Sequence, residues 1–357
     1  MVLLDTSPAP ATTSLASPQS RRTRKTMIAR APQLHRIGPL LLLAYALLLL
    51  PTAASAAVEQ PKLSIRSGNM TGAYYAAASA VAKVFNRAGA QDGMRLTTAE
   101  SEGSPANIDA VLGGQATFGI AQADMLEAAS QGRGPWEGTP RTELRAVLGL
   151  HVEAVTIVAR GDHAIQSVSD LRGKRINIGA PGSSDHQYAG ILLAAARVPP
   201  EAVTLSQRSA VLAADLLQRD EIDAYIYTVG HPNLSLIEAS TGPRRVQLIP
   251  LDTPVIAWAM AQNRLLFPTE IPTEYYPALQ SQGSVRTIGV RAVLFTRADL
   301  GEEIVYRLVR EVVTHFELFQ RQHPVLQGVT PREACGSAPI PLHPGAARSC
   351  REAGLLP

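Results

Sequence analysis

From residue 61 to about residue 262, short strand-like runs alternate with helix-like ones, and this alternation restricts the fold more than any other feature of the chain. Parallel strands need a crossover between them, usually a helix, so the pattern predicts an α/β architecture. The first unit shows how the reading works. Leu63 and Ile65 alternate with polar neighbours as in a strand, and Ala77, Ala80, Val81 and Val84 fall three to four apart, a helical stripe. The turn between them, Ser67-Gly68-Asn69-Met70-Thr71-Gly72, leaves the first N–H groups of the helix unpaired at the end of a sheet, where they suit an anion. These residues alone read equally well as a plain strand-to-helix connection.

The same logic runs along the chain. A strand is expected at 96–100, followed by a short helix with Ser104 as N-cap and Pro105 at its first position, stopped by Gly113-Gly114. A strand at 116–120 delivers Gln122 and Asp124 to its C-terminal end, and a helix follows over 124–131. Residues 132–140 read as a surface loop, and 144–150 and 155–159 as two strands with a hinge at His151-Val152-Glu153. A second set of units begins with Ser167 and Asp170 at capping-box spacing. It continues with a strand at 174–178, a small-residue turn at 179–185 and a helix striped by Tyr188, Ile191, Leu192 and Ala195. Strands at 203–207, 222–229 and 246–251 and a helix at 211–217 follow, then a strand at 285–295 that returns the chain to the first lobe, and an amphipathic helix over 302–319.

Residues 1–36 are basic, 37–50 form an uncharged Leu-rich run, and Pro51 to Ala57 are small, which is the layout of a secretory signal cleaved after Ala56. Met27 would open a signal of ordinary length, and the apolar run is too short for a spanning anchor. The chain has 33 Lys and Arg against 30 Asp and Glu, but residues 1–56 hold six of the bases and one acid, so the remainder carries 27 against 29, a formal charge of −2. No basic patch remains to point to nucleic acid. Two cysteines, Cys335 and Cys350, would be expected to pair in an exported chain, closing a loop worth about 3 kcal/mol in the chain-entropy model. Two buried thiols are the alternative.

The sequence carries no nucleophile elbow, phosphate loop, dinucleotide fingerprint or metal-ligand spacing, so no cofactor is expected. Ser183, Asp185 and His186 adjoin in one turn, whereas catalytic triads are assembled from separate segments. What recurs instead is small polar groups at strand ends: Ser67, Asn69 and Thr71; Ser104 and Asn107; Gln122 and Asp124; Ser183, Ser184 and Asp185. In a doubly wound sheet those ends are where ligands sit. For each residue singly, a turn or cap hydrogen bond is the simpler role. Tyr74, at the start of the first helix, is placed to cover a ligand or to join the core.

Assembled in order, these segments resemble the TAXI family, the solute-binding subunits of tripartite ATP-independent periplasmic (TRAP) transporters. The resemblance rests on Ser67-Gly68-x-x-Thr71-Gly72-x-Tyr74-Tyr75, Gly103-Ser104-x-x-Asn107, Phe118-Gly119-Ile120-x-Gln122-x-Asp124 and Asp170-Leu171-x-Gly173-Lys174-Arg175. It continues through Gly179-x-Pro181-Gly182-Ser183, Ile222-Asp223-Ala224, Gly230-His231-Pro232 and Pro341-Leu342-His343-Pro344-Gly345-Ala346. It implies a two-lobed type II periplasmic-binding-protein fold with hinge strands between the lobes, a small organic acid or amino acid as ligand, and a membrane permease as partner. The expected division is a signal at 1–56, lobe 1 at 57–153 and 288–357, and lobe 2 at 154–287. The expected ligand-binding set is Gly68, Asn69, Thr71, Tyr74, Ser104, Asn107, Gln122, Asp124, Ser183, Ser184, Asp185, Gly230 and His231. Asp185 stands where the family usually has threonine, which favours a zwitterionic or monocarboxylic solute over a dianion. A ligand-binding module for a sensor or another importer, and a periplasmic hydrolase using Ser183 or Ser184, are the competing readings.

Overall fold

The computed structural model describes residues 62–88, 93–279, 281, 283–336 and 338–357, and the expected export signal at 1–56 lies outside them. In chain order the strands are β1 (Lys62–Arg66), β2 (Arg95–Ala99), β3 (Phe118–Gln122), β4 (Leu144–Arg160), β5 (Arg175–Asn177), β6 (Thr204–Ser206), β7 (Ala224–Val229), β8 (Val246–Leu248), β9 (Phe267–Pro272) and β10 (Ser284–Arg297). The helices are α1 (Ala73–Ala88), α2 (Ser104–Leu112), α3 (Ala123–Ser130), α4 (Ser184–Ala195), α5 (Ala213–Gln218), α6 (Leu234–Thr241), α7 (Thr253–Gln262), α8 (Glu302–Thr314), α9 (Phe316–Gln320), α10 (Pro331–Gly336) and α11 (Pro344–Glu352).

The strands form one sheet in the order β2-β1-β3-β10-β4-β7-β5-β6, with β8 added to β4 and β9 to β10. Two parallel triplets make its halves, β2-β1-β3 and β7-β5-β6. Between them run β4 and β10, long, mutually antiparallel and antiparallel to the triplets. One end of β10 pairs with β3, through Ala292 to Phe295, while the far part of β4 pairs with β7, through Ala154 to Ala159. The chain therefore crosses to the second half along β4 and returns along β10.

The expected break at residues 151–153 is absent. Val290 faces Glu153 and Arg291 faces Val152 in the ladder, so β10 stays paired through it and β4 is one strand of 17 residues. Two register shifts remain, between Arg291 and Val293 and between Leu294 and Phe295, and each leaves an extra residue on β4, the first at Leu150 and His151 and the second at Val147.

Helices α1 and α8 cover the first half, burying Val81, Phe85, Leu308 and Val312 with Leu63 and Ile65. The amphipathic run expected over 302–319 is broken at His315, which leaves helical geometry at φ −111° and ψ 39°. The break turns Phe316 and Phe319 together into the core, their ring centroids 5.5 Å apart. In the second half, α5 and α6 pack Leu216, Leu217 and Leu236 on Tyr225. Helices α6, α7, α10 and α11 and strand β9 have no counterpart in the sequence reading. A disulfide joins Cys335 of α10 to Cys350 of α11, with Cα atoms 5.8 Å apart and both residues fully buried.

Local signals set several element starts. The capping box opens the turn at Val168–Leu171, with the Ser167 backbone N–H donating to Asp170 Oδ2 at 2.9 Å. Gly103, not Ser104, caps α2; its φ of 99° lies in the left-handed region that favours glycine, and Ser104 is the first helical residue. The loop at 132–140 holds one 3₁₀ turn, Gly134–Trp136, which buries the indole so that Nε1 donates to Asp109 Oδ1 at 2.9 Å.

Candidate functional site

The parallel triplets aim their C-terminal ends at a common cleft of about 710 Å³. From the first half it is lined by the turn after β1 (Gly68, Asn69) with Tyr74 of α1, the turn after β2 (Glu100 to Gly103) with Ser104 of α2, and Gln122 at the end of β3. From the second half come Ala180 to Asp185 after β5, Ser209 to Val211 after β6, and Tyr227 to Val229 on β7. Glu153, midway along β4, lines the cleft between the two sets.

The floor is a network of buried polar groups. The Tyr74 hydroxyl donates to Glu153 Oε2 at 2.8 Å and lies 3.2 Å from Ser104 Oγ, which accepts from the Gln122 backbone N–H at 3.1 Å. Burial pushes the Glu153 carboxyl up to about 8, with Tyr74 and Gln122 pulling the other way and the nearby Asp185 and Asp124 adding to the rise. Asp185, within the first turn of α4, accepts from the Thr228 backbone N–H at 2.7 Å and so ties the helix to β7. Burial lifts its carboxyl to about 7. Gln122 Oε1 is buried and has no partner among the described residues. The cleft lining includes Glu100, Glu102, Glu153 and Asp185, and no lysine, arginine or histidine among the described residues.

Eight of the thirteen expected residues lie in this cleft: Gly68, Asn69, Tyr74, Ser104, Gln122, Ser183, Ser184 and Asp185. The other five lie outside its lining, each with a structural task. Thr71 is exposed and bonds Asn69 Oδ1 through its N–H at 3.0 Å and its hydroxyl at 2.8 Å. Asn107 is fully buried, its amide donating to the Ser67 carbonyl at 2.6 Å and the Ile120 carbonyl at 2.7 Å, so it clamps the ends of β1 and β3 together. Asp124 accepts from the Tyr188 hydroxyl at 2.5 Å and from the Asn263 amide at 3.0 Å. Both His231 nitrogens are engaged, with Thr156 Oγ1 at 2.8 Å and the Tyr276 hydroxyl at 2.6 Å, and burial lowers its pKa to about 3. Gly230 is needed for packing, because a Cβ there would meet Val325, His151 and Ala73 at 2.6, 2.7 and 2.9 Å.

Ser183 is in the cleft but committed to its turn. Its hydroxyl donates to the Ala180 carbonyl at 2.7 Å and accepts the His186 backbone N–H at 3.3 Å, so it caps α4. Gly179, at φ 81°, allows that turn, since a Cβ there would stand 2.6 Å from the Asp185 Cβ. The residues that sequence reasoning missed are Glu153, Tyr227, Thr228 and the acidic pair Glu100 and Glu102. The available signal for Glu153 was a lone acid inside a mainly apolar strand, Val147 to Ala159, whose only other polar side chains are His151 and Thr156, and burying a carboxyl there costs free energy unless it is used.

A family model described as the NMT1-like family matches residues 65–354, nearly the whole described chain. The chain belongs to the NMT1-like family. Among solved structures, this NMT1-like protein is similar to malate-bound MatC of Rhodopseudomonas palustris, at 13% identity over 82% of this chain and 96% of that one, with a TM-score of 0.51. The periplasmic binding protein BugD matches equally, at 13% identity over 83% and 94% and a TM-score of 0.51. The aliphatic sulphonate binding protein SsuA of Escherichia coli aligns more loosely, at 16% identity over 75% and 82% and a TM-score of 0.44. At these identities the likeness concerns the fold, and the NMT1-like chain has the two-lobed α/β fold of periplasmic binding proteins.

Proposed function

We propose that this protein is a periplasmic receptor that encloses one small organic solute between its lobes and delivers it to the permease of a TRAP-type importer. The observation that carries the reading is the cleft itself, lined from both sheet halves at strand C-termini, where ligands of open α/β sheets bind. The halves are joined through β4 and β10, which suits hinge closure with the boundaries near 153 and 288. That MatC was solved with malate and BugD is a periplasmic binding protein supports a binding role on this fold. Export through residues 1–56 and the TAXI-like motif order support the periplasm and the TRAP permease. A hydrolase is disfavoured because Ser183 Oγ is spent on the Ala180 carbonyl and the His186 backbone N–H, and no imidazole hydrogen-bonds it among the described residues.

A thermal-shift screen of residues 57–357 against amino acids, organic acids and amines tests this. The expected result is a stabilising compound recovered chemically unchanged after incubation, whose uptake into vesicles holding the cognate permease survives without ATP and stops when the ion gradient is dissipated. Consumption of the stabilising compound would overturn the receptor reading, and uptake that requires ATP would overturn the TRAP assignment.

A further inference from the structure

We infer that the solute carries a protonated amine and no net negative charge, its ammonium seated against Glu153 and Gln122 on the cleft floor; this rests on the receptor reading and names its ligand class. The first support is charge. Glu100, Glu102, Glu153 and Asp185 line the cleft, and no cationic side chain lines it among the described residues. A dianion or sulfonate is ordinarily held by arginine or lysine, and here it would meet only acids and neutral dipoles.

The second support is an acceptor without a donor. Gln122 is 2% exposed, lines the cleft, and leaves Oε1 unpartnered among the described residues. A buried acceptor left unpaired is costly, and an incoming group that donates hydrogen bonds removes the cost. An ammonium brings three donors and accepts none. It can serve Gln122 Oε1 and the Glu153 carboxylate together, which a carboxylate cannot do.

The third support is what surrounds Glu153, itself 4% exposed. The titratable groups acting on it from the packed elements are Tyr74 of α1, Asp124 of α3, Asp185 and Tyr188 of α4, and Tyr227 of β7, all acids or phenols. None of them carries a positive charge to offset an ionised Glu153, and the hydrogen bonds from Tyr74 and Gln122 oppose the rise without cancelling it. The carboxyl therefore keeps its proton at neutral pH until a cation arrives, and amine binding at pH 7 displaces that proton into solvent.

Isothermal titration of residues 57–357 with ethanolamine, putrescine, L-alanine, malate and methanesulfonate tests the inference. The expected result is that an amine-bearing probe binds while malate and methanesulfonate do not. Repeating the amine titration at pH 7 in buffers of different ionisation heat should report release of nearly one proton. Affinity should rise roughly tenfold from pH 6 to pH 7 and level off above pH 8. Glu153→Gln should weaken the amine by roughly 30-fold or more and abolish the proton release, a readout that a merely structural carboxyl would not move. The wild-type proton count needs no variant to fold. Binding of malate or methanesulfonate with none of the amines, or amine binding without proton release, would overturn the inference and leave the receptor reading standing. If no amine probe binds, the inference falls as well.

Discussion

Between pH 6.5 and 8.5 the solute-free protein is expected to lose about 2–3 kcal/mol of stability, with most of the loss removed by Glu153→Gln. Glu153 titrates near 4.5 when unfolded and about 8 when folded, and Asp185 moves from 3.8 to about 7. Both shifts are upward, so the folded state holds protons that the unfolded chain has already released. Stability from these groups is fully present below pH 4 and falls as pH rises through the folded values. His151 and His231 act in the opposite sense, because burial lowers each from 6.5 to about 3 and they destabilise the fold only below about pH 6.5. The two pairs nearly cancel between pH 4.5 and 6.5, which leaves the carboxyls alone above it. Urea denaturation at half-unit pH steps should give a plateau and then a decline. A stability that rises from pH 6.5 to 8.5 would show that Glu153 is ionised in the folded state.

Replacing Cys335 and Cys350 together by alanine is expected to cost about 3 kcal/mol, within a range of about 2–5. The bond closes a sequence separation of 15 residues, and both cysteines are fully buried in the core cluster that also holds Val309 and Val312 of α8. Its removal frees the unfolded chain and takes two sulfurs out of a packed cluster. Because it links α10 to α11, neither of which contributes a residue to the cleft lining, solute affinity should not change. Denaturant midpoints of the oxidised, reduced and double-alanine proteins measure the effect. Equal stability of all three would contradict it.

Much of the architecture was legible in the sequence because it is written in local period and turn chemistry. Leu63 and Ile65 alternate, Ala77 to Val84 stripe a helix, and Ser167 with Asp170 forms a box whose bonds need only a four-residue window. The missed helices α6 and α7 carry caps, Asn233 and Asp252, but no clear apolar stripe. Helix α7, with Val255, Ile256, Ala257, Trp258, Ala259 and Met260 in succession, is apolar around its circumference and has no stripe to read. The continuity of β4 through Glu153 depends on its partner β10, more than a hundred residues away. The site was legible in part for the same reason. Turns after strands marked Gly68, Ser104 and Ser183, but whether a polar group faces the cleft or a neighbour is decided in three dimensions. Asn107 turned inward to bind two carbonyls and His231 was absorbed between Thr156 and Tyr276. Glu153 joined the site only because Tyr74, Gln122 and Asp185 converge on it from separate segments.

The claim that the cleft is the solute site is tested most directly by titrating the stabilising solute into wild type and Ser184→Trp. Ser184 is half-buried at the first position of α4 and lines the cleft, so an indole there projects into the space a solute would occupy. The predicted result is one-to-one binding by wild type, a loss of about 100-fold or more in the variant, and a melting temperature of the solute-free variant within about 4 °C of wild type. Wild-type affinity in Ser184→Trp would contradict the assignment and place the solute elsewhere on the protein.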